Sequence, residues 1–181
     1  MAQFAQVFSE SEIYWEAVLI FLTVATWRAG YNRLVQAVDE LLSSGVITEE
    51  VIAQIGNGSY KPKHMTVMEF CSPSEFKDLI SKSRLVISHA GMGTIIETVR
   101  LLKPLIAVPR RKSLGEVDND HQFVTAKQLE AEGKILVAYE VNELPAKLKE
   151  AEIFVPSEGQ GCEKILEEVR GFIDGLIVGK K

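Results

Sequence analysis

With 181 residues, 46% hydrophobic and 25% charged, the chain has the size and balance of one globular domain rather than of a disordered segment. Its formal net charge of −5 argues against a broad nucleic-acid face. Its two cysteines, Cys71 and Cys162, stand far apart in no metal-like spacing, which fits a reduced, cytoplasmic protein and gives no disulfide framework.

Residues 1–16 match nothing that follows and read as an N-terminal extension. The domain is expected over residues 17–150. Val18 to Val24 is a continuous apolar run, the pattern of a strand covered on both faces. The longer run Ala17 to Ala25 is still far short of the roughly 20 residues that cross a bilayer. It also lacks the basic start and cleavage site of a signal peptide, so any membrane association is expected to be peripheral. Tyr31 to Leu42 carries Leu34, Val35, Val38, Leu41 and Leu42, a helical stripe. Val51 to Ile55 and Met65 to Phe70 are short strand candidates, and Ser74 to Lys82 reads as a helix with Pro73 at or just before its start. Leu85 to Ile87, Leu105 to Val108 and Ile135 to Val137 are further apolar strands, with helices beginning near Gly91 and Asn119 between them. Strands alternating with helices predict an α/β, Rossmann-like parallel sheet with helices on both faces. Residues 151–181 end in an apolar stripe from Ile165 to Ile177, read either as packing on this domain or as docking on a partner.

In such a sheet ligands bind beyond the strand C-termini, and the polar motifs fall there. Ser88-His89-Ala90-Gly91-Met92-Gly93-Thr94 joins a strand to a helix through two glycines. The order places unpaired N–H groups and a positive dipole end at one point, which favours phosphate. Gly91 and Gly93 permit close backbone approach, Thr94 offers a hydroxyl, and Glu97 lies about one turn further on, where a ribose attached to a bound pyrophosphate would lie. Asn119 and Gln122 have capping-box spacing, with Asp120 suited to a first helical turn; alternatively His121 and Gln122 face the same cleft as Gly91 and read a sugar. Arg110, Arg111 and Lys112 read as a solvated basic surface or, beside a pyrophosphate, as an anion clamp. Thr26 and its neighbours offer a further phosphate contact after the first strand. His64, His89 and His121 sit in separate segments without paired ligands, so no metal site is expected. Neither a Walker pattern nor a Gly-x-Ser-x-Gly elbow is present.

Taken in order, Ile87 to Thr94, Glu97, Lys103 to Pro109 and Asp120-His121-Gln122 resemble the donor-binding half of family-28 glycosyltransferases. Phe21 to Thr26 with Tyr31 to Val35 resembles its small single-domain branch. The resemblance covers about Leu19 to Leu148 and implies the C-terminal half of a GT-B glycosyltransferase. It implies donor-diphosphate contacts from His89, Ala90, Gly91, Gly93 and Thr94, ribose binding by Glu97, and sugar reading by His121 and Gln122; Ser88 and Thr26 are expected to border the same donor. Ala25 stands where the family often has glycine. The implied activity is inverting transfer of a sugar, GlcNAc in one branch, from a UDP-sugar to a lipid-linked acceptor, with His89 or His121 as candidate bases. UDP-sugar is then a substrate and no cofactor or metal is expected. A single domain implies a membrane-anchored, acceptor-binding partner subunit and a cytoplasmic location at the membrane through that partner. A non-catalytic UDP-sugar-binding regulatory or scaffolding subunit is the alternative.

Overall fold

The computed structural model describes residues 19–24 and 30–157. Six strands form one sheet: β1 (Leu19–Thr23), β2 (Glu50–Gln54), β3 (Thr66–Met68), β4 (Leu85–Ser88), β5 (Leu105–Ala107) and β6 (Leu136–Val137). Every pairing is parallel, and the spatial order is β3-β2-β1-β4-β5-β6. Five α-helices connect or follow the strands: α1 (Asn32–Ser43), α2 (Pro73–Lys82), α3 (Met92–Arg100), α4 (His121–Ala131) and α5 (Leu144–Ala151). The last was not anticipated, because Pro145 and a short apolar spacing hide it in the sequence.

Alternation along the strands divides the core between the two faces. Ile20, Leu22 and Ile87 join Leu34, Val35 and Val38 of α1 and Leu144 and Leu148 of α5 on one side. Phe21, Val86 and Leu105 join Ile80 of α2, Ile95 and Val99 of α3, and Ala126 and Leu129 of α4 on the other. Both faces are therefore covered, as the continuous apolar strands require, and each fully buried aliphatic or aromatic side chain contributes about 1.5–3 kcal/mol.

The strand order fixes where a ligand belongs. The chain leaves β1 for β2 on one side and later returns to β4 on the other, so the order reverses between β1 and β4. A crevice opens outside the strand C-termini at such a switch point. Here it lies between Thr23 and Ser88, which sit opposite each other in register. The residues 1–16 and the C-terminal stripe from Ile165 lie outside the described residues, as does Thr26.

Candidate functional site

The floor of the crevice is a short relay of side chains. Ser88 is fully buried, and its hydroxyl donates to the Thr23 carbonyl (2.8 Å). That leaves its oxygen to accept from His89 Nδ1 at 3.1 Å, so the neutral imidazole carries its proton on Nδ1. His89 is only 8% exposed, and burial, with the nearby Arg110 charge, pushes its pKa down to about 4. The ring lies over Gly91: a Cβ there would fall 2.1 Å from Nε2. Gly91 has φ −88°, open to any residue, so space rather than backbone freedom demands glycine here. Ser88 and His89 thus face into the fold and set the height of the turn.

Above them α3 begins. Its N-cap is Gly91, which has no side chain to satisfy the first turn. The first intrahelical bond recorded at this end runs from Ile95 N–H to the Gly91 carbonyl. The N–H groups of Met92, Gly93 and Thr94 precede it and have no intrahelical acceptor. Gly93 is exposed, and the space beside its Cα is empty. Among the described residues the Thr94 hydroxyl has no hydrogen-bond partner, its carbonyl being taken by Thr98. Glu97 lies one turn along, in a groove of about 500 Å³ lined by Lys77, Asp78, Ser81, Arg100 and Leu101. Among the described residues its carboxylate has only long ion pairs, 3.8 Å each, to Lys77 and Arg100.

The third wall is the connection from β5 to α4, and here the structure corrects two readings. Asn119 and Gln122 do not form a capping box. The N-cap is Asp120, without a side-chain cap, rather than a first-turn residue. Asn119 Oδ1 accepts from His121 N–H instead, and Gln122 Oε1 accepts from Arg110 N–H (3.0 Å). That bond anchors the Gln122 amide at the C-terminal end of β5 and leaves its NH₂ donors unused among the described residues. His121 is exposed at the start of α4.

Arg110, Arg111 and Lys112 are likewise no uniform solvated surface. Lys112 is exposed, but Arg110 is 1% exposed. Arg110 donates to the carbonyls of Val24 (2.7 Å) and Gly30 (2.6 Å), with a longer bond to Glu116 (3.3 Å), and its guanidinium lies 4.7 Å over the Tyr31 ring. Arg111 bonds the Tyr139 carbonyl and pairs with Glu140. Tyr31 donates to the backbone at Val108 and Pro109 (3.1 Å each), and burial raises its pKa. Arg33 holds Glu116 with two bonds, 2.8 and 3.1 Å, and Glu116 also accepts from Arg111 N–H. Sequence reasoning missed Tyr31, Arg33 and Glu116 as parts of the site wall. Gly30, at φ +63° with the Gly58 backbone 2.8 Å from its would-be Cβ, does demand glycine.

The ends of β1, β4 and β5 and the starts of α3 and α4 thus gather Ser88, His89, Ala90, Gly91, Gly93, Thr94 and Gln122 at one edge of the sheet, with Glu97 on the flank of α3 beside α2. No helix among the described residues is long and apolar enough to cross a membrane.

Residues 19–153 match the model of the glycosyltransferase family 28 C-terminal domain. The chain is 35% identical over 111 residues to the human UDP-N-acetylglucosamine transferase subunit ALG13; the match covers 59% of this chain but only 8% of that protein's length. An ALG13 solution structure superposes with TM-score 0.55 at 21% identity, over 80% of this chain and 90% of that one. MurG of Acinetobacter baumannii superposes with TM-score 0.57 at 18% identity, over 79% of this chain and 44% of that one, and these two likenesses speak for the fold alone. The six-stranded parallel sheet is the Rossmann-like C-terminal half of a GT-B enzyme, and the chain belongs to glycosyltransferase family 28 through its C-terminal domain.

Proposed function

We propose that this chain is the donor-binding subunit of a two-component inverting glycosyltransferase that moves N-acetylglucosamine from UDP-GlcNAc to a lipid-linked acceptor. The observation that carries the reading is the uncapped start of α3 at the switch point, with the Thr94 hydroxyl unpartnered among the described residues and Glu97 one turn away. The sugar assignment draws on the relatives named UDP-N-acetylglucosamine transferase subunit. Their designation as subunits supports a partner chain; on this reading that partner brings the acceptor, is anchored in the membrane and holds this chain at its cytoplasmic side.

In the reaction an acceptor hydroxyl attacks the anomeric carbon from the face opposite the diphosphate. The bond from that carbon to the β-phosphate oxygen breaks, UDP leaves, and a base takes the hydroxyl proton. Negative charge grows on the leaving diphosphate, so N–H groups aimed there stabilise the transition state more than the ground state. Met92, Gly93 and Thr94 supply those groups. Glu97 accepts from the ribose hydroxyls, and the free Gln122 amide donates to the sugar. His89, neutral and enclosed, positions the turn. The base is His121 or a group of the partner. The reading requires no metal, so transfer is expected to survive a chelator.

Titration with UDP tests the reading. Glu97→Ala is expected to weaken UDP by roughly tenfold or more, the worth of hydrogen bonds to a charged group, with an unchanged circular dichroism spectrum. Unchanged UDP affinity would remove Glu97 from the site. A transfer assay with the co-expressed partner separates an enzyme half from a subunit that only binds donor.

A further inference from the structure

Among the described residues the buried guanidinium of Arg110 has no carboxylate of its own. Its three hydrogen bonds all end on backbone carbonyls, those of Val24, Gly30 and Glu116. The carboxylate nearest in effect, that of Glu116, is engaged by Arg33. The Nε of Arg110 is buried without a partner among the described residues. A cation enclosed in this way carries a desolvation cost, and Tyr31 beneath it returns only part.

Its position gives the charge a use. Arg110 sits at the C-terminal end of β5 and reaches across β4 to the end of β1, and its field is felt at His89 under the α3 turn. The charge lies beneath the switch point, shielded from salt by burial, and the carbonyls it holds fix Val24 and Gly30 on either side of the first connection. We infer that Arg110 is a positioning residue of the donor site that supplies the positive potential selecting a nucleoside diphosphate over the uncharged nucleoside, without touching it. This rests on the donor-site reading above.

The test is the ratio of affinities for UDP and uridine, measured calorimetrically on the whole chain. In Arg110→Gln the UDP affinity is expected to fall by roughly 10- to 100-fold and the uridine affinity by less than threefold, because a cation lost from a low-dielectric site is felt mainly by charged ligand atoms. Arg110→Lys keeps the charge and is expected to retain most of the ratio. UDP and uridine falling together would reduce Arg110 to a structural staple and overturn the inference, as would no change in either. A second measurement needs no variant. The ratio in the unaltered protein is expected to change less than threefold between 0.1 and 1 M salt, since a buried charge is little screened; a larger collapse would assign the discrimination to exposed cations such as Lys112. A wild-type chain that binds neither ligand would sink the donor-site reading and this inference with it, whereas UDP binding indifferent to Arg110 sinks only the inference.

Discussion

Two helices start at the same edge of the same sheet and solve the same problem in opposite ways. At α2, which follows the edge strand β3, Ser72 accepts from Glu75 N–H (3.3 Å), Glu75 accepts from Ser72 N–H (2.7 Å), and Pro73 has no N–H to satisfy. At α3, which follows β4 at the switch point, glycine takes the cap and no side chain serves the first turn. The helices that follow β1 and β5, α1 and α4, also begin without a side-chain cap. Among the helices that follow β1, β3, β4 and β5, the chain therefore closes the one away from the crevice and leaves open those that border it. An N-cap contributes about 1 kcal/mol, so leaving one out is a cost that a bound anion offsets.

The largest expected effect concerns what holds the open end in place. His89 is neutral in the fold, with a pKa near 4, while an unfolded histidine takes its proton near 6.5. Between those values the unfolded chain binds the extra proton, so stability is complete above about pH 6.5 and falls as the pH drops towards 4, by on the order of 3 kcal/mol. Asp39, whose carboxyl is held below its usual range by hydrogen bonds from Tyr60, Lys63 and His64, loses its contribution only in more acid solution. Urea unfolding at pH 7, 5.5 and 4.5 reads the slope, and His89→Gln is expected to flatten it. A wild-type curve already flat through this window would mean that the ring is solvated and does not hold the turn.

Next comes Gly91→Ala. The new methyl meets the His89 ring, which Ser88 keeps from swinging away, so the variant is expected to lose about 1–3 kcal/mol and to bind UDP at least tenfold more weakly. The double variant His89→Ala/Gly91→Ala sharpens the point. Residues in contact are non-additive by about 0.5–3 kcal/mol, so the second substitution is expected to cost less in the absence of the ring. Strict additivity in thermal unfolding would show that the two do not share the space.

Ser72→Ala is the counterpart at the closed helix. Removing the cap is expected to cost about 1 kcal/mol and to leave UDP affinity untouched. A loss of UDP binding in this variant would mean that both helix starts serve the ligand and would dissolve the contrast between them.

The difference between the two ends was half legible in the sequence. Pro73 announced α2 near its true start, and the apolar runs placed the strands to within a few residues, because burial on both faces demands a continuous apolar pattern. Gly91, Gly93, Thr94 and Glu97 stood out because the strand–turn–helix order brings them to the N-terminal tip of a helix. The wall across the crevice was not legible. Arg110 reads as one of three neighbouring cations, and only the tertiary structure brings it under the carbonyls of Val24 and Gly30. Tyr31, Arg33 and Glu116 are joined by contacts that span some 80 residues of chain, which no local pattern records. The Asn119–Gln122 spacing misled because Gln122 found a better partner in the Arg110 amide, at the end of a strand.

Gly93→Ala has the smallest effect on the fold and separates the two roles of the open end most cleanly. Nothing lies within 4 Å of the added methyl, and the backbone there is helical, so the fold is expected to gain a few tenths to about 1 kcal/mol from the better helix former. The same methyl stands in the path of any diphosphate that settles on the first-turn N–H groups, and UDP affinity is expected to fall several-fold while the melting temperature rises. Stability and binding moving in opposite directions is the signature of a position kept for a ligand. If the variant melts higher and binds UDP as before, the glycine at the tip serves neither packing nor ligand, and α3 is no more open in function than α2.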